Sequence, residues 1–97
     1  MSHRLEYKER YHVPAHGSLI NAIVISPDGH RFVTGSDDST VVVWSTRNGD
    51  PKCRINAHSP VLTLAWLSNT NRFVFGCENG RLALASVGNT RVRALML

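Results

Sequence analysis

Residues 20–44 read INAIVISPDGHRFVTGSDDSTVVVW, and their pattern decides the fold. Ser26-Pro27-Asp28-Gly29 is a strong turn signal. Proline presets its own backbone angle, aspartate caps the turn locally, and glycine accepts the positive φ that follows. The segments on either side, Leu19–Ile25 and Arg31–Ser36, are predicted as short strands. Asp37-Asp38-Ser39 makes the next turn, and Thr40–Ser45 is a β-branched third strand. Arg47-Asn48-Gly49-Asp50-Pro51 breaks the chain, and a fourth strand is expected near Lys52–Asn56.

The pattern then restarts. Ile20–Ile25 aligns with Val61–Trp66, and Phe32–Ser36 aligns with Phe73–Cys77, both at an offset of 41 residues. His16 and His58 are 42 apart, which one deleted loop residue accounts for. Further strands are predicted near Val61–Leu67, Arg72–Cys77, Arg81–Val87 and Arg91–Leu97, with Gly88-Asn89 turning between the last two. No segment sustains a helical period, so the chain reads as all-β. Tyr11–His16 parallels Cys53–His58. Residues 5–13 therefore read as the last strand of a preceding unit, or as an irregular N-terminal arm.

The composition fits an ordered globular chain: 42% of the 97 residues are hydrophobic and 19% are charged. The longest apolar run, Val41–Trp44, is far too short to span a bilayer, so no transmembrane segment is expected. The N-terminus carries Arg4, Glu6, Lys8, Glu9 and Arg10 and lacks the apolar core of a signal peptide. An intracellular location, cytoplasmic or nuclear, is the default expectation. Cys53 and Cys77 are the only cysteines; they are too few for a disulfide scaffold and read as free thiols.

The stretch His16–Trp44 resembles a WD repeat. The residues that carry the resemblance are His16, Ser26-Pro27-Asp28-Gly29, Gly35–Thr40 and Val41–Trp44. It implies a β-propeller, in which a blade is a four-stranded sheet and about four to eight blades close a ring. The period near 41 lies in the blade range. The resemblance also implies a hydrogen-bonded set that ties strands together: His16 before the first strand, Ser36 (or Thr34) on the second, Asp38 in the next turn and Trp44 on the third. The departures are specific. Ala15-His16 stands for the family's Gly-His pair, and Trp44-Ser45 for its Trp-Asp pair. In the second copy Asn79, Cys77 and Ala85 replace Asp38, Ser36 and Trp44, and only His58 remains. That copy is degenerate and is expected to rely on Leu62, Leu64, Trp66, Phe73, Phe75, Leu82 and Leu84 for packing.

The expected organisation is an N-terminal arm or strand at 1–14, a first blade at 15–56 and a degenerate blade at 57–97. Two blades do not close a ring, and a lone pair leaves two apolar faces in water. Three outcomes are open: the chain is a piece of a larger propeller, it self-assembles into a trimer or tetramer, or it persists as an open sheet pair.

His16, Asp38 and Ser36 superficially form a Ser-His-Asp set, but they sit where the resemblance implies a structural role, and no strained nucleophile turn is present. No catalytic residue is therefore assigned. Asp37-Asp38 lacks a wider oxygen-ligand pattern, and the five histidines lack zinc spacing, so neither a metal nor any other cofactor is expected. The leading expectation is a non-catalytic module that binds other proteins or peptides through loops on a rigid scaffold. Ser18, Asp37, Pro60 and Glu78 mark the loops on one face, and Asp37 and Glu78 would make it locally acidic. Two alternatives stand beside it. The net charge of +4, partly placed at Arg4, Lys8, Arg10, Arg91 and Arg93, offers a surface for nucleic acid or an anionic membrane. Nucleic acid is disfavoured by the absence of an aromatic stacking platform. The pair of blades could also be purely structural, completing a ring.

Overall fold

The computed structural model describes residues 15–88 and 91–97. The strand expected at residues 5–13 lies outside them. The described residues form eight strands: β1 (Ile20–Ile25), β2 (Arg31–Ser36), β3 (Thr40–Ser45), β4 (Pro51–Asn56), β5 (Val61–Trp66), β6 (Arg72–Cys77), β7 (Leu82–Val87) and β8 (Val92–Met96). They make two four-stranded antiparallel meanders, β1-β2-β3-β4 and β5-β6-β7-β8. No helix among the described residues is long and apolar enough to cross a membrane.

Turn chemistry sets the hairpins. Asp28 accepts from the Ser26 hydroxyl at 2.6 Å and from the His30 N–H at 2.9 Å. Gly29 takes φ +75°, as a glycine at that turn position does readily. The fourth strand begins at Pro51, one residue earlier than the breaker motif suggests. β4 is an edge strand and Pro51 is its first residue, the position at which a missing N–H costs the ladder least. The register shifts there, between Val43 and Trp44 on the facing strand.

The two sheets stack face to face. β1 and β2 pack on β5, and β4 touches β8. Val33, Val41 and Val43 of the first sheet enclose one core with Phe73, Phe75 and Ala85 of the second. Burying Phe73 and Phe75 contributes roughly 1.5–3 kcal/mol each. Leu62 and Leu82, expected to pack this blade, are exposed instead. Leu82 faces Gly76 across the β6–β7 ladder, and strand alternation places that pair on the side away from the Phe73/Phe75 core. The outer face of the first sheet is also open in part, with Ile23 and Ile25 on β1 62% and 63% exposed.

Candidate functional site

The first sheet holds a continuous polar chain on its outer face. Trp44 Nε1 donates to Thr34 Oγ1 at 2.9 Å, and Thr34 Oγ1 lies 2.7 Å from His16 Nε2. An indole N–H only donates, so the threonine oxygen accepts it and its own hydrogen is left for Nε2. Nδ1 sits 3.2 Å from Asp38 Oδ2 and 3.0 Å from Thr40 Oγ1. Because the Thr40 hydrogen is already given to Asp38, both of these are acceptors, so the neutral imidazole carries its proton on Nδ1 and Nε2 accepts from Thr34. The Thr40 hydroxyl donates to Asp38 Oδ1 at 2.6 Å, and the Gly17 N–H donates to Oδ2 at 2.8 Å. His16 is 2% exposed and Asp38 18%, so the chain closes inside the protein, where pairing is obligatory. Among the described residues, no buried side-chain nitrogen or oxygen lacks a partner.

Burial opposes ionisation of Asp38. Hydrogen bonds from the Thr40 hydroxyl, the Gly17 and Thr40 N–H groups and His16 outweigh it and hold the carboxyl at about 2. The carboxylate is therefore the fixed negative end of the chain. Phe32 stacks on Trp44 with ring centroids 5.4 Å apart and planes within 5°, which holds the indole flat on the sheet.

Of the two hydroxyls left open by the motif, Thr34 occupies the position between indole and imidazole. Ser36 is engaged elsewhere: its hydroxyl donates to Ser18 O at 3.3 Å and accepts from the Asp38 N–H at 3.1 Å. Sequence reasoning missed Thr40, whose signal was available in Asp38-Ser39-Thr40. An aspartate two residues before a threonine closes a local Asx turn, and Thr40 N donates to Asp38 Oδ1 at 2.9 Å.

The second blade carries no counterpart of this chain. Matching bonds, Asp37 N–H to Leu19 O and Glu78 N–H to Pro60 O, keep the 41-residue offset into the loop before the first strand of each blade. Counting back from them places Ala57, not His58, in the position of His16. His58 is exposed with φ +59°, so the shared Ala-His dipeptide misaligns the copies by one residue. Phe75 stands for Thr34 and Ala85 for Trp44; both are buried. A large ring has moved from the third strand to the second, and the volume is kept while every polar group is removed. This face packs against the first sheet, where an apolar surface is the better fit.

The loop residues expected to meet partners gather at one end of the sheets. Asp37 accepts from Asn21 Nδ2 at 2.7 Å, and the same amide donates to Val61 O at 3.0 Å, tying the loops of the two blades together. Asn21 was not foreseen in this role. Ser18 and Glu78 are exposed and Pro60 is half-buried. Arg91 and Arg93 are exposed at the far end and on β8, while Arg4, Lys8 and Arg10 lie outside the described residues. Among the described residues, no group of three or more His, Cys, Asp and Glu side chains is placed to hold a metal ion.

Residues 7–45 match the family model described as "WD domain, G-beta repeat". The human WD repeat-containing protein 86 is 36% identical over 58 residues, covering 60% of this chain and 15% of that protein. Two solved structures share the architecture. A chain of the Mitotic Checkpoint Complex superposes with a TM-score of 0.76 at 17% identity, covering 91% of this chain and 30% of that one. The Cps50 (Swd1) β-propeller domain of Myceliophteria thermophila superposes with a TM-score of 0.73 at 16% identity, covering 86% of this chain and 27% of that one. The chain thus spans less than a third of each of these relatives. The repeat match at residues 7–45 and the two four-stranded antiparallel sheets show that the chain carries a WD repeat and folds as two adjacent blades of a β-propeller.

Proposed function

We propose that this chain is a non-catalytic protein-interaction module, part of a larger propeller scaffold, whose Asp37–Glu78 end receives basic segments of partner proteins. The observation that carries the reading is the bridge from Asn21 to Asp37 and to Val61 O, which fixes the loops of neighbouring blades as one platform. WD-repeat propellers generally bind other proteins, and rigid scaffolds present binding loops in this way. A catalytic reading of His16 has less support. Both ring nitrogens are engaged within the fold, and the hydroxyl on Nε2 already receives the Trp44 N–H. The domain division at 1–14, 15–56 and 57–97 is retained as part of this proposal. An intracellular setting, cytoplasmic or nuclear, accords with the free thiols of Cys53 and Cys77.

The test is capture of a labelled lysine-rich peptide. Asp37→Lys combined with Glu78→Lys is expected to weaken capture about tenfold. Undiminished capture by the folded variant would refute the acidic-face reading. A second reading, assembly of copies into a trimeric or tetrameric ring, draws on the open apolar positions Ile23 and Ile25 on one sheet and Leu82 and Leu95 on the other. A sharp trimer or tetramer mass in light scattering is its expected signature, and a stable monomer excludes it.

A further inference from the structure

The end of the molecule opposite Asp37 and Glu78 carries the reverse charge. There the seam between the two sheets opens into two adjoining clefts of about 590 and 720 Å³. The outer cleft is floored by Val43, Cys53, Val87 and Val92 and rimmed by His30, Arg31, Arg47, Lys52 and Arg91. The inner one runs between Pro27 and Trp66 and adds Arg72. Asp28 and Arg31 line both, which makes the two clefts one groove along the seam.

The rim of the outer cleft thus sets four permanent cations against one carboxylate. That carboxylate is committed locally: Asp28 accepts from Ser26 and His30 within its own turn. The cations come from strand β2, the β3–β4 turn, β4 and the segment before β8, so the charge is brought together by the fold and not by a run in the sequence. Grouping like charges around a recess is electrostatically unfavourable in the empty protein and favourable to an anionic occupant. Val43 and Val87 are buried in the floor, so a side-chain stem entering the groove meets apolar surface while its charged end meets the rim.

We infer that this groove binds an extended acidic peptide segment of a partner protein. The observations favour a peptide over other polyanions. The floor offers valines in place of exposed aromatic faces, and Trp66 is half-buried with its ring tilted against Phe73, so bases find no stacking platform. The floor is also recessed, out of reach of a flat membrane surface. This site is at the other end of the blades from the acidic platform and does not rest on that reading.

The experiment is fluorescence anisotropy of a labelled alternating glutamate–alanine peptide with the full chain. Binding is expected to weaken as salt rises. Arg47→Glu with Lys52→Glu is expected to weaken it at least tenfold, and Arg47→Ala with Lys52→Ala about threefold, both being exposed positions that leave the strand signature in circular dichroism unchanged. Asp37→Lys, at the opposite end, is expected to leave acidic-peptide binding intact. Equal affinity in wild type and both double variants overturns the inference. So does tighter binding of an oligouridylate or of phosphatidylserine vesicles that the same substitutions abolish.

Discussion

Trp44 Nε1 and Thr34 Oγ1 are joined by a 2.9 Å hydrogen bond across the β2–β3 ladder, and that bond decides which hydroxyl completes the polar chain of the first blade. Thr34 and Ser36 project from the same side of β2, two residues apart, so alternation alone does not separate them. The span from the indole to the imidazole does. Thr34→Val keeps the shape and removes the oxygen, leaving the Trp44 N–H and His16 Nε2 buried without partners. A loss of about 2–3 kcal/mol in urea denaturation is expected. Thr34→Ser should recover most of it, and Ser36→Ala should cost about 1 kcal/mol, since that hydroxyl serves the Ser18 carbonyl and the Asp38 N–H and takes no part in the indole–imidazole chain. A larger loss from Ser36→Ala than from Thr34→Val would show the chain to run through the wrong residue.

Asp38 gives the blade an acid limit. Its carboxyl is held near 2, below the ordinary 3.8, because the folded protein hydrogen-bonds the ionised form. A depressed folded pKa contributes stability that is fully present above the unfolded value and is lost as pH falls. The contribution should therefore be intact above about pH 4 and disappear between about pH 4 and 2. Asp38→Asn should be less stable than wild type at neutral pH, and the gap should narrow through that window. Denaturant midpoints measured at several pH values check this, and a gap independent of pH would contradict it.

The strand plan was legible in the sequence because every turn announces itself chemically. Ser26-Pro27-Asp28-Gly29 and Asp37-Asp38-Ser39 punctuate the chain, and the strand ends differ from expectation by a residue at most, as with Leu19, Pro51 and Leu67. The polar chain was half legible. His16, Asp38 and Trp44 are types that must be paired when buried, but Thr40 looked like one more β-branched strand residue. The second blade misled at two levels. Ala57-His58 copies Ala15-His16 in letters but not in place. Leu62 and Leu82 are as apolar as Phe73, and only the ladder register shows which side of the sheet they face. Identity of residue type is not identity of position: the backbone keeps an offset of 41 residues while the copied dipeptide sits at 42.

Ser39 occupies a backbone conformation that its counterpart fills with glycine. Ser39 has φ +72° and Gly80, 41 residues later, has φ +86°. Each donates its N–H to the matching carbonyl, Ser39 to Ser36 O at 3.2 Å and Gly80 to Cys77 O at 3.0 Å. A left-handed conformation costs a residue with a Cβ about 1–2 kcal/mol, and glycine escapes that at some cost in unfolded-chain entropy. Ser39→Gly is expected to raise stability by about 0.5–1 kcal/mol, while Gly80→Ser should lower it by a similar amount. Thermal melts of the two variants test the pair. Destabilisation by Ser39→Gly would show that the serine has a role the turn geometry does not reveal.

Gly35 marks the closest approach of the two blades. A Cβ at this position would lie 2.5 Å from Val61 Cγ1 and 3.1 Å from Val61 Cβ. Val61 is fully buried and β-branched, with few rotamers to move into, so the sheets themselves must part. Gly35→Ala is expected to cost about 1–3 kcal/mol, the range for overpacking a tight core. The equivalent glycine of the second blade differs. A Cβ at Gly76 meets Thr63 Cγ2 at 2.9 Å, but Thr63 is exposed and free to turn, so Gly76→Ala should cost under about 1 kcal/mol. The decisive variant is the pair Gly35→Ala with Val61→Ala. Val61→Ala alone opens a cavity and should cost about 1–3 kcal/mol, yet it also removes the methyl group that the Cβ added by Gly35→Ala strikes. If the contact is direct, the double variant is more stable than the sum of the single losses, by about 1 kcal/mol or more in a denaturation cycle. Strict additivity would place the cost of Gly35→Ala in its own strand and not in the contact between blades.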